Sequence, residues 1–242
     1  MDAALFPVIV GGMLVVVGLL IYLGWKAEQK RIAEVKAYAA RRGWSYTERD
    51  DSWHESFTGS PFHSGHGRRS TKVLRGPYDG REAAVFDFVY HTTETSTDAN
   101  GHSHSREESH HFNVVALSLG ATTPGLSVSP EGAFGRLLGR MFNSDIELES
   151  EEFNRAFTVT ADDRKFASDV LHPRMMELLL QHRDTAWRID RGWLLTVERG
   201  TYELPDVDQR LDFADRLLDA LPDFLRRQYG IPAPTQQTGG AA

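Results

Sequence analysis

Five of the ten histidines in this 242-residue chain fall in one stretch, HTTETSTDANGHSHSREESHH, from His91 to His111. Imidazole ligates transition metals and exchanges protons near neutral pH, so such a run invites a metal or sensor reading. His102 and His104 are spaced to chelate together, and His91 with His111 could hold zinc or nickel beside Glu107 or Glu108. Against this, the residues between are Ser, Thr, Asn, Asp, Gly and Glu, and the run lacks the fixed spacings of known zinc signatures. The expectation is a long solvated hairpin loop with no cofactor. Zinc on His91, His102, His104 and His111 is the alternative.

A second group, SWHESFTGSPFHSGHGRRS, sets His54, His63 and His66 near Asp51 and Glu55. Thr58 stands where His-Glu-x-x-His needs its second histidine, so zincin chemistry is absent and the segment reads as a surface loop. GHGRRS offers backbone amides and two guanidinium groups to an anion, without a following phosphate-loop pattern. Asp87, inside the apolar run AVFDFVY, suggests a general base, and an ion pair with Arg75 or Arg81 is the plainer reading. The chain has no cysteine, which excludes disulfides, thiol nucleophiles and thiolate-bound zinc. No Ser-His-Asp signature, Walker loop or dinucleotide fingerprint is present, so no residue is assigned to catalysis.

The elements that must carry these residues start with ALFPVIVGGMLVVVGLLIYLGW, Ala4 to Trp25, an uncharged run long enough to span a bilayer core of about 30 Å. It has no basic start and no small-residue cleavage site, which distinguishes it from a secretory leader. Lys26, Lys30, Arg31, Lys36, Arg41 and Arg42 follow it, with Glu28 and Glu34, and none precedes it. That asymmetry predicts a single pass through the cell (inner) membrane, N-terminus outside and the rest cytoplasmic. Trp25, Lys26, Lys30, Arg31 and Lys36 would lie at the lipid surface, as would Phe134, Arg136 and Arg140 of the amphipathic stretch FGRLLGRMF. Gly11 and Gly18 are a heptad apart, leaving a homodimer open. Residues 26–42 carry a net +4 and residues 1–25 carry −1, so −10 of the total −7 resides in the remainder. So acidic a domain makes nucleic acid a poor partner.

Residues 43–230 read as one α+β domain with a mostly antiparallel sheet and helices on one face, and 231–242 as a disordered tail. Asp79-Gly80 and Arg191-Gly192 mark hairpins between apolar runs. If the strands flanking the histidine stretch pair, a register of Phe88 with Val114, Tyr90 with Phe112 and His91 with His111 sets aromatics beside good cross-strand partners. DIELES is expected as a strand, RAFTVTA as another, Asp162 to Arg183 as helix broken at Pro173, and 206–230 as one amphipathic helix.

Within this domain, Glu151, Phe153, Phe157, Val159, Asp163, Ala167, Val170, Leu171, Pro173, Met176, Glu177 and Leu179 follow a recognisable pattern. Ile146 to Leu180 thereby resembles a bacterial family called domain of unknown function 3137, with Val170 where that family has Leu. The resemblance implies a membrane-associated protein and supplies no activity, cofactor or catalytic residue. Most of the motif positions are apolar and read as core, which specifies a fold and not a reaction. The chain is therefore expected to be a membrane-anchored binding or scaffold module with an unidentified protein partner. A metal-dependent sensor or hydrolase and an anionic-lipid surface sensor are the alternatives.

Overall fold

The computed structural model describes residues 5–97, 103–130 and 146–233. They fall into two compact units, Met1–Gly43 and Trp44–Ala242. The first is a single helix, α1 (Leu5–Arg42), apolar on all sides in its first half and ending in Arg41 and Arg42. Gly43 stops it with a left-handed φ of 67°, its amide donating to Ala40 O at 3.2 Å.

The second unit runs β1 (Ser45–Arg49), α2 (Ser52–Glu55), β2 (His66–Tyr78), β3 (Arg81–Thr97), β4 (Ser103–Ser118), β5 (Leu126–Pro130) and α3 (Glu151–Ala156). It continues through β6 (Phe157–Ala161), α4 (Arg164–Val170), α5 (Pro173–Leu180), β7 (Trp187–Asp190), β8 (Trp193–Arg199), α6 (Leu204–Asp219) and α7 (Asp223–Tyr229). Among the described residues the strands form one sheet in the order β1-β2-β3-β4-β8-β7-β5-β6, every pair antiparallel. The α+β architecture read from the sequence is the one observed.

Both faces of the sheet are covered. Helix α6 buries Val207, Leu211, Ala214 and Leu217 over β4 and β8. On the other face Trp53, Phe57 and Phe62 pack against Phe86, Phe88, Val114 and Leu195. The segment from Ser52 to His66, expected as a surface loop, is thus partly core. Its three large aromatics remove too much apolar surface from water to stay outside.

Four other expectations change. Strands β3 and β4 pair Phe88 with Phe112, Tyr90 with His110 and His91 with Ser109, two residues away from the expected register. In this alignment Tyr90 stacks on His110 at 4.8 Å and on Phe112 at 5.8 Å. The pairing persists out to Thr97 and Ser103, so the histidine stretch is mostly a two-stranded arm instead of a long loop. Residues 147–150 are not a strand: Asn154 brackets Leu148, accepting from its amide at 3.1 Å and donating to its carbonyl at 2.7 Å. Ser150 then caps α3, its hydroxyl accepting from Phe153 N. The C-terminal helix is two helices, because Pro222 has no N–H to continue the ladder of α6. Arg226 fastens the corner by donating to Leu218, Leu221 and Pro232 carbonyls.

Candidate functional site

Asp51, His54 and Ser70 meet on the inner side of the segment before β2. His54 Nδ1 lies 2.9 Å from Ser70 Oγ and 4.0 Å from Asp51 Oδ1. Ser70 N donates to Asp51 Oδ1 at 3.0 Å, and Arg49 donates to Asp51 Oδ2 at 2.8 Å. A nucleophilic relay needs the carboxylate on one ring nitrogen and the hydroxyl on the other. Here both face Nδ1, Ser70 is wholly buried, and the imidazole rests 5.3 Å from the Phe88 ring. Burial pushes His54 below its ordinary pKa, against the pull of Asp51. The trio ties β1 and α2 to β2 and offers no reachable nucleophile.

The histidines assigned to zinc are divided by the sheet. His91 and His111 share one face, since His91 opposes Ser109 and His111 opposes Val89. His104 opposes Ser96 and projects from the other face, as does His110. His102 lies outside the described residues. His91 has its own surroundings: Ser109 Oγ at 3.0 Å and Glu107 Oε1 at 3.4 Å from Nδ1, and Arg69 Nη2 at 3.4 Å from Nε2. His63 is exposed on the segment before β2.

Charged residues that the sequence did not single out hold the interior together. Arg188 of β7, fully buried, donates to Ser60 O at 2.9 Å and Thr58 O at 3.2 Å, with Asp190 at 3.6 Å and the Phe62 ring beneath it. Burial pushes its pKa down to about 10. Arg210 of α6 is bonded to Asn113, to both oxygens of Thr196 and, at 3.4 Å, to Glu198. It lines a cleft of about 450 Å³ together with His182, Glu198, Asp206, Asp212, Phe213 and Arg216, a mixture of carboxylates and guanidinium groups. Asp87 pairs with Lys72 at 3.7 Å, not with Arg75 or Arg81, and accepts from Tyr202 N at 2.9 Å. A bulge in β2 between Thr71 and Leu74, with Lys72 at φ 51°, places that lysine there. Arg81 instead donates to Asp215 and Asp219. With Asp79 these carboxylates make a cation-sized group, and the Arg81 guanidinium already occupies its charge. Burial pushes Asp215 up to about 6, outweighing the pull of Arg81.

In α1 the apolar side chains from Met13 to Leu23 are exposed, with Leu14 at 66% and Val15 at 71%. By length and composition the helix could cross a membrane. Tyr22 and Trp25 follow with ring centroids 6.3 Å apart. Lys26, Lys30 and Lys36 are exposed beyond them and Arg31 is half-buried, Lys30 pairing with Glu34 at 3.7 Å. Phe134, Arg136 and Arg140 lie outside the described residues.

Residues 130–189 match a family model described as a protein of unknown function, DUF3137, and so contain the motif from Glu151 to Leu179. No curated protein matches the chain. Among solved structures the chain is similar to the mycobacterial trehalose monomycolate transport factor A, TtfA. The identity is 15%, the TM-score 0.54, and the likeness spans 79% of this chain and 96% of that one. At that identity the shared property is the fold.

Proposed function

We propose that this chain is a non-catalytic binding module held at the cell membrane by α1. The observation that carries the proposal is one uninterrupted helix that passes from an exposed apolar half directly into a basic half. At 1.5 Å per residue its 38 residues extend about 57 Å, more than the roughly 30 Å of a hydrocarbon core. Lys26, Lys30, Arg31 and Lys36 then lie beside anionic headgroups on the cytoplasmic side, with Trp25 in the interface. The described residues of the α+β domain offer no convergent catalytic group, so the domain acts by holding another component. The fold neighbour is named a transport factor, and an accessory role of that kind would use the same two parts, an anchor and a folded binding domain.

The absence of cysteine makes the test direct, because each introduced thiol is the only one in the molecule. Ala3→Cys and Ser96→Cys are labelled with a membrane-impermeant maleimide in right-side-out and inside-out vesicles. Ala3→Cys should react in the former and Ser96→Cys in the latter. Reaction of Ser96→Cys in right-side-out vesicles reverses the topology, and release of the protein by carbonate removes the anchor. A stoichiometric companion after gentle detergent extraction would then identify what the domain holds.

A further inference from the structure

The base of the β3–β4 arm brings together a histidine pair that is distant in sequence. We propose that His66 and His91 form a chelate for a first-row divalent transition ion, Zn²⁺ by chemical class, with water completing the coordination. This goes beyond the anchored-module reading and does not rest on it.

His66 of β2, His91 of β3 and Ser109 of β4 are register neighbours on one face of the sheet. Each imidazole has one nitrogen engaged by oxygen. His91 Nδ1 faces Ser109 Oγ at 3.0 Å and Glu107 Oε1 at 3.4 Å; a carboxylate only accepts, so Nδ1 carries the hydrogen and Nε2 the lone pair. Arg69 Nη2, at a long 3.4 Å, donates to that lone pair. His66 Nε2 lies 3.0 Å from Thr93 Oγ1, which leaves Nδ1 without a partner among the described residues. A hydroxyl or carboxylate on the far nitrogen is the arrangement that orients metal-ligating histidines and raises their basicity.

The spacing suits one shared ion. With metal–nitrogen bonds of about 2.0–2.1 Å, the ion sits roughly 3.2 Å from each ring centre, and two rings on it are about 5–6 Å apart. The His66 and His91 centroids are 6.1 Å apart, just beyond that range, so the rings swing toward each other to share the ion. Strand β2 keeps this ring edge clear. A Cβ on Gly67, at φ 62°, would come within 2.8 Å of His91 Cδ2. The donor set selects the ion, because paired imidazoles suit zinc, nickel, cobalt and copper and not magnesium or calcium. Glu107 supplies the nearby negative charge, and the ion replaces the Arg69 guanidinium at Nε2.

The test is Co²⁺ titration of the full-length protein in detergent, purified without a polyhistidine tag and followed by the visible d–d bands of ligated cobalt. One Co²⁺ per chain is expected. His66→Gln or His91→Gln should weaken it by at least about tenfold, while the His102→Gln, His104→Gln double variant should leave it unchanged. Arg69→Gln removes the competitor and should tighten binding, an effect that a damaged fold would not give. Absence of saturable binding overturns the proposal. So does binding lost in the double variant at the arm's tip, or binding indifferent to His66→Gln.

Discussion

Arg188 and Asp190 sit two apart on β7, pointing the same way between apolar neighbours Trp187 and Ile189. Asp190 accepts from Thr58 N at 2.7 Å and from Thr58 Oγ1 at 2.9 Å, while Arg188 donates to Thr58 and Ser60 carbonyls. The pair therefore stitches the aromatic segment before β2 to the far half of the sheet. Removing one charge leaves the other buried and uncompensated, which costs about 3–5 kcal/mol. Asp190→Ala is expected to lose stability on that scale, read by urea unfolding of the detergent-solubilised protein. A loss within 0.5 kcal/mol, about what an ordinary surface change costs, would make the pair incidental. The sequence could not announce this pair, because an alternating strand reads Trp and Ile as the inward residues. Arg188 faces inward only because the segment carrying Thr58, Ser60 and Phe62 lies over it. The same blindness applies to Arg210, whose partners Asn113 and Thr196 are 97 and 14 residues away.

At the level of elements, what lay in short windows could be read and what depended on pairing could not. Asp79-Gly80 and Arg191-Gly192 take positive φ at both turn positions, as two-residue hairpins require. Pro173 begins α5 where the helix was expected to break. The register of β3 on β4 was out of reach, because a slip of two residues leaves every side chain on its own face. The same strand β4 also pairs with β8, where Val114 meets Val197, a neighbour that lies far along the chain. The histidine positions were visible, but their division between two faces follows from the pairing that carries both strands out to Thr97 and Ser103, where a loop was expected. Among the turns, Gly192 carries two demands: φ of 80°, and an added Cβ only 2.6 Å from Ala121 O. Gly200 has a φ of 89° with nothing within 4 Å. Gly192→Ala should therefore destabilise by about 1–3 kcal/mol and by more than Gly200→Ala, as melting of the two variants would show. Equal losses would mean that backbone conformation alone sets the cost.

Across the whole molecule, the strand order has a seam. Strands β1 to β4 follow one another as neighbours, β5 pairs with β6 at the opposite edge, and the hairpin of β7 and β8 fills the space between β4 and β5. Among the described residues no strand of the first set pairs with one of the second. A chain ended after Thr185 keeps six of the eight strands and loses α6 as well, so β4 presents Val114, Val115 and Ala116 along an open edge. Limited proteolysis should cut such a chain within 66–97 or 103–118 while the full-length protein resists there. Equal resistance would show that β1 to β4 stand alone. For a ribosome making this protein, the arrangement sets an order of events. The apolar helix emerges before the sheet, and the early meander can zip as it appears, but its last strand waits for residues 187–199 before it gains its second neighbour. During that interval the unfinished sheet is a target for chaperones and for other copies of itself, and a pause in translation between β4 and β7 would lengthen the exposure.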